Sequence, residues 1–100
     1  MSVVIYVDEL VPVKRLTTKW PYRSACHMSV CPPTPEAVSF LHEFAKAIGL
    51  RRAWFQDDSW PHYDLTATKR YDAMRLGAVE ITCETFAEMR LRYRNAGVCK

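Results

Sequence analysis

No run of apolar residues in this 100-residue chain approaches the ~18 that a membrane-spanning helix needs. A secretory leader is missing too: "MSVVIYVDEL" has no basic stretch ahead of its apolar residues and reaches an acidic pair at Asp8 and Glu9. These absences point to a cytoplasmic chain with no membrane partner. There is no CxxC pair among the four cysteines, Cys26, Cys31, Cys83 and Cys99, so reduced, idle thiols are expected. A zinc site built from Cys26, His27 and Cys31 is disfavoured, because adjacent strand residues point to opposite faces. Internal repeats and linkers are also missing, and nothing resembles a helix-turn-helix or zinc-finger motif.

What is present suits one packed domain over residues 1–100. Apolar residues make up 49% of the chain and aromatic ones 12%, enough for a core and too many for a disordered segment. The net charge of +3 is mild but uneven. Lys14, Arg15, Lys19 and Arg23 crowd an early loop, and Arg90, Arg92, Arg94 and Lys100 crowd the end. Such clusters attract phosphates or an acidic protein surface.

Residues 3–7, "VVIYV", read as a buried strand that stops at Asp8. Pro12 and Pro21 mark residues 9–22 as a loop, and "RSACHMSV" is a second strand. Thr34 is a good N-cap, with Pro35 and Glu36 suited to the first helical turn. The helix it opens keeps Ala37, Leu41, Phe44 and Ile48 on one face and ends at Gly49. His42 falls on its polar side, facing solvent. "RAWFQ" (52–56) reads as a short strand, "DDSWP" as a loop and "HYDL" as a brief extended piece. A helix from Ala67 to Leu76 stops at Gly77, and "AVEIT" is a further strand. Thr82 caps a last helix, with Ile81 and Phe86 placed as a hydrophobic staple and Gly97 at its end. The expectation is an α/β fold: one small domain with about four short strands in a mixed sheet and three helices.

The chemistry concentrates in "HYDLTATKR", residues 62–70. If Thr66 caps the middle helix, its free N–H groups and dipole form an anion site. Lys69 and Arg70 stand in the first turn, where cations are unfavourable unless an anion compensates. His62 and Asp64, one residue apart, share a side in an extended segment, and a carboxylate beside an imidazole suits it to acid–base work near neutrality. His27 is a second candidate proton carrier or phosphate donor. Asp8 ends the first strand, where ligands of α/β folds gather. Trp54, Trp60 and Tyr63 are aromatics able to stack on a base, with Trp54 assigned to the ligand. The plainer alternative makes the His62–Asp64 pair a structural hydrogen bond. A magnesium or manganese ion on Asp8, His62 and Asp64 is disfavoured, because Lys69 and Arg70 already supply positive charge. No metal and no other cofactor is expected.

"YVDE", "CHM", "AWFQ", "HYDLTATKR" and "LGAVEIT" resemble, in that order, the family catalogued as domain-of-unknown-function family 4031, small proteins of tailed phages and bacteria. The resemblance spans nearly the whole chain. Glu9 stands where members commonly carry a second Asp, the early loop is longer, and Pro61 precedes His62. The resemblance implies a phage or prophage origin, hence the host cytoplasm, and marks Asp8, His27, His62, Asp64, Lys69 and Arg70 as the family's polar positions. It implies no reaction. Two functions follow as expectations. The first is a phosphate-directed pocket that binds, and in one version hydrolyses, a nucleotide or nucleic acid. There His62, Asp64 and His27 would do the chemistry, and Asp8, Thr66, Lys69, Arg70 and Trp54 would hold the ligand. The second is a non-enzymatic inhibitor that grips a host protein through the basic surfaces.

Overall fold

In a computed structural model of the chain, residues 3–57 and 60–97 are described, and the backbone pairing radiates from one strand. That strand, β3 (Ser24–Val30), is antiparallel to β1 (Ile5–Val7), to the two-residue β2 (Val11–Pro12) and to β4 (His62–Leu65). The fifth strand, β5 (Val79–Glu80), runs parallel to β1, so the sheet is mixed. Three helices complete the described fold: α1 (Pro35–Ala47), α2 (Ala67–Arg75) and α3 (Cys83–Ala96).

The period-2 alternation of strands divides this sheet into an apolar and a polar face. Ile5, Val7, Cys26, Met28, Val30, Tyr63 and Leu65 are buried in the main core, under Ala37, Leu41, Phe44, Ala45 and Ile48 of α1 and Ala73 of α2. The residues between them, Tyr6, His27, Ser29, His62 and Asp64, belong to the other face. There α3 brings Phe86 and Met89 into a smaller cluster with Trp60 and Cys31, flanked by Tyr6, Ile81 and Tyr93. One sheet thus carries the core on one side and the polar residues on the other, partly roofed by α3.

Local signals set the helix bounds. Thr34, Thr66 and Thr82 each adopt extended backbone angles and accept a hydrogen bond from the N–H three residues on. Each satisfies a donor that the first turn leaves without a helical partner. Gly97 takes a left-handed conformation, φ 71°, at the end of α3, a backbone that costs glycine no Cβ clash.

The structure revises the middle of the chain. "RAWFQ" is no strand: Arg52–Trp54 form a 3₁₀ turn, and only Gln56 touches the sheet, by an isolated bridge to His62. "HYDL" is the strand instead. Aromatic content raised the strand expectation for 52–56, but Trp54 remains half-exposed and Phe55 is packed between Arg52 and Tyr63. The early loop contributes β2, so five strands are seen where about four were expected. Cys26 and Cys83 are free thiols, and burial pushes the Cys26 thiol up to about 12, where it is inert. Cys31, against the reduced-thiol reading, is held in a disulfide. Cys99 and Lys100 lie outside the described residues. No helix among the described residues is long and apolar enough to cross a membrane.

His42 is also placed differently from the solvent-facing expectation. Its Nδ1 lies 2.9 Å from the Tyr63 hydroxyl, and its ring stands edge-on to Phe55 at 4.5 Å. Burial pushes its pKa down, helped by the Arg52 charge and opposed by Asp57. The fold therefore favours the neutral ring, while the unfolded chain takes up a proton near pH ~6.5. His42's contribution to stability is complete above that pH and declines as the pH falls below it. His27, whose pKa is raised, acts in the opposite sense in both proteins, so the comparison isolates His42: from pH 7 to 5.5 the parent's melting midpoint should lose ground against that of His42→Gln. Equal slopes in the two proteins would assign the loss to other groups.

Candidate functional site

β-pairing builds the site. The register places His27 opposite Asp64 and Ser29 opposite His62, so both histidines and the aspartate share the polar face on neighbouring strands. Asp8 follows β1 on the far side of β3, where its N–H donates to the His27 carbonyl at 3.1 Å. Its carboxylate takes two hydrogen bonds, from the His27 backbone N–H at 2.6 Å and from His27 Nδ1 at 2.8 Å. Asp8 is 3% exposed, whereas the His27 side chain is 49% exposed, so a buried acid anchors an accessible ring.

That anchoring settles the direction of the ring. Nδ1 donates to Asp8, leaving Nε2 to face outward, 3.9 Å from Asp64 Oδ1. His62 repeats the arrangement. Its Nδ1 lies 2.6 Å from the Trp60 carbonyl, which can only accept, so the proton of the neutral ring sits on Nδ1. Its Nε2 then faces the same Asp64 Oδ1 at 3.5 Å. Asp64 is held in turn by the Gln56 side-chain amide, which donates to Oδ2 and leaves Oδ1 toward the imidazoles. The His27 and His62 rings meet edge to face at 5.2 Å. The Asp8 hydrogen bond is the largest influence on His27 and raises its pKa; burial opposes it, the charges of Asp8 and Asp64 reinforce it, and the Arg90 charge opposes it.

The roof over this group comes from α3. Glu9 Oε1 accepts from the Cys83 N–H at 2.9 Å, placing a carboxylate at the positive end of that helix. Glu9 therefore belongs to the helix start rather than to the histidine group. Phe86 stands 6.1 Å from the His27 ring, and the Arg90 guanidinium lies over Phe86 at 4.9 Å from its centroid.

The remaining residues expected at the site have other partners. Thr66 caps α2, as expected, but the cations behind it turn away from the histidines. Lys69 Nζ donates to the Ile48 carbonyl at 2.7 Å, at the C-terminal end of α1, where positive charge is favoured. Arg70 Nε donates to the Asp8 carbonyl at 2.9 Å, and its Nη2 is paired with Glu80. The mismatch of two cations in a first helical turn thus has its compensation within the chain. Trp54 stands half-exposed on the 3₁₀ turn, with the Arg51 guanidinium 6.0 Å from its ring. Two surface concavities of about 380 and 420 Å³ lie toward α1, one against Ile48 and Asp72 and one against His42 and Tyr63. Three residues join the group that the sequence reading had not assigned to the pocket: Gln56, Phe86, expected only as part of a staple, and Arg90, expected only in the basic cluster of the last helix. For Gln56 the signal was its place in "AWFQ"; for Arg90 it was the four-residue step from Phe86, which puts both on one helix face.

A family model described as a protein of unknown function, DUF4031, matches residues 5–93. No curated protein and no solved structure matches the chain.

Proposed function

Since the chain belongs to the DUF4031 family, whose description names no activity, we propose from its own residues that His27, His62 and Asp64 form a centre that activates water against a phosphate ester. The observation that carries this reading is the convergence of His27, His62 and Asp64, each of which brings one acceptor atom to within 4.8 Å of the others. Each is aimed by a separate partner: Asp8, the Trp60 carbonyl or Gln56. Acceptors gathered in this way take the proton of a water molecule, whose oxygen attacks phosphorus. The ester P–O bond breaks and the leaving alcohol carries off a proton. Arg90, beside Phe86 and the histidines, supplies the cation for the phosphate in this reading, the role expected of Lys69 and Arg70. A nucleotide is the substrate class, its phosphate set against Arg90. In a phage or prophage, such a centre would bind or destroy a nucleotide signal.

The test pairs turnover with binding. A nucleotide at one hundred times its Kd adds about 2.7 kcal/mol to stability. For a domain of this size, that raises the midpoint by roughly 10 °C or more. His62→Ala should keep that shift while losing on the order of 10²–10⁴ in hydrolysis of the same compound, and Arg90→Ala should lose the shift. Unchanged turnover in His62→Ala, or a flat response to mono-, di- and cyclic nucleotides, defeats the proposal.

A further inference from the structure

We infer that His27 Nε2, His62 Nε2 and Asp64 Oδ1 bind a divalent transition-metal ion of the zinc class, with Asp8 as a positioning residue outside the coordination shell. The inference rests on the water-activating reading above and names what does the activating.

Proton bookkeeping comes first. His62 has its Nδ1 proton committed to a carbonyl, and His27 has its own committed to a carboxylate. In the neutral rings both Nε2 atoms are bare lone pairs, and they face a carboxylate oxygen. Three acceptors with no donor among them repel one another unless a hydrogen-bond donor or a cation sits between. A proton on one Nε2 is the simplest such species. It would draw that nitrogen to about 2.7–2.9 Å from the oxygen, the length of a charge-assisted N–H···O bond. The observed separations are longer, 3.5 and 3.9 Å. Around a tetrahedral zinc with ligand bonds of ~2.0–2.2 Å, neighbouring ligand atoms stand about 3.3–3.6 Å apart, being the edges of the tetrahedron. The His62 separation fits that edge, the His27 one exceeds it by about 0.3 Å, and all three atoms lie within 4.8 Å of one another, so the group stands open for an ion rather than closed on a shared proton.

The outer partners agree. Metal-binding histidines commonly donate their second ring N–H to a carboxylate or a backbone carbonyl, and ligating carboxylates are themselves hydrogen-bonded. Asp8, Trp60 and Gln56 supply one such partner to each of the three groups. Asp8 is placed outside the shell because each of its oxygens holds His27, and the ligand atoms that gather come from His27, His62 and Asp64. Charge favours a cation as well. Lys69 and Arg70, whose proximity in sequence argued against a metal, are bound to Ile48, Asp8's carbonyl and Glu80. The carboxylates of Asp8 and Asp64 then outweigh the single charge of Arg90. Two imidazoles and one carboxylate select zinc, iron(II) or manganese over magnesium, which prefers an all-oxygen shell. Three protein ligands leave a fourth position for water, and a zinc-bound water loses its proton near neutral pH.

The test uses zinc and cobalt(II) ions alone, added to chelator-treated protein. Calorimetry should record one zinc per chain, and cobalt should develop the intense visible bands of a tetrahedral site. Asp64→Asn and His27→Ala should each weaken zinc binding by about 100-fold or more, while Asp8→Asn, losing only the outer partner, should cost about 10–100-fold. Cys83→Ser should bind as the parent does. The inference is overturned by a folded parent that takes up no ion. It is equally overturned by Asp64→Asn binding zinc with unchanged affinity, or by Cys83→Ser losing it. Circular dichroism identifies any variant that has unfolded, and Asp64→Asn, nearly isosteric, keeps the test alive if His27→Ala fails. Tight zinc binding with no hydrolysis of any phosphate ester would sink the proposed function and leave the metal site standing. Hydrolysis that survives chelation yet disappears in His62→Ala would do the reverse.

Discussion

Asp8→Ala is expected to lower stability by about 1–3 kcal/mol, because the His27 backbone N–H loses its carboxylate partner at a part-buried position. The exposed imidazole can exchange its lost bond for water, so the main-chain donor carries most of the cost. For a domain of this size the midpoint should fall by roughly 4–8 °C per kcal/mol. The same substitution frees the His27 ring, which should then populate both tautomers. Nitrogen NMR shifts of the ring read this directly: the parent should hold its proton on Nδ1, and the variant should show averaged shifts. A midpoint within a degree of the parent, or an unaltered tautomer, would mean that Asp8 does not orient the ring.

Leu41→Ala should be still more damaging. Leu41 is fully buried where α1 presses on the apolar face of the sheet. Removing its branched side chain costs about 2–5 kcal/mol, the lost burial plus the cavity left behind. Set against a total stability of ~5–15 kcal/mol, that brings the chain close to unfolding at physiological temperature. Its neighbour Phe40 is 45% exposed on the outer side of the same helix, so Phe40→Ala should stay within about 0.5 kcal/mol. Urea titration of the two variants gives the comparison. Similar midpoints would mean that α1 does not bury the face described.

Which of these features the sequence announces depends on how far apart the interacting residues are. The caps at Thr34, Thr66 and Thr82 act over three residues, and all three were readable. The inner face of α1 was readable for the same reason, as spacing within one helix. Trp54 and Phe55 were misread because strand composition at 52–56 was overridden by packing against Arg52 and Tyr63. For the site, the pairing of His62 with Asp64 was visible as an alternation, but the bond from Asp8 to His27 spans nineteen residues and exists only through the β1–β3 register. Lys69 and Arg70 were legible as cations at a helix start. Their partners, at Ile48 and Glu80, were not.

The register of β4 against β3 governs more than the site. Tyr63 and Leu65 enter the core through the same alternation that delivers His62 and Asp64 to the opposite face. A slip of one residue would bury a histidine and an aspartate and expose a tyrosine and a leucine, which no stable fold of this size would tolerate. Folding and the placement of the polar pair are therefore tied to one register. Mutational drift in β4 that preserves folding also preserves the placement of the polar pair, so a quality-control system that removes misfolded copies would remove copies with a misplaced centre as well.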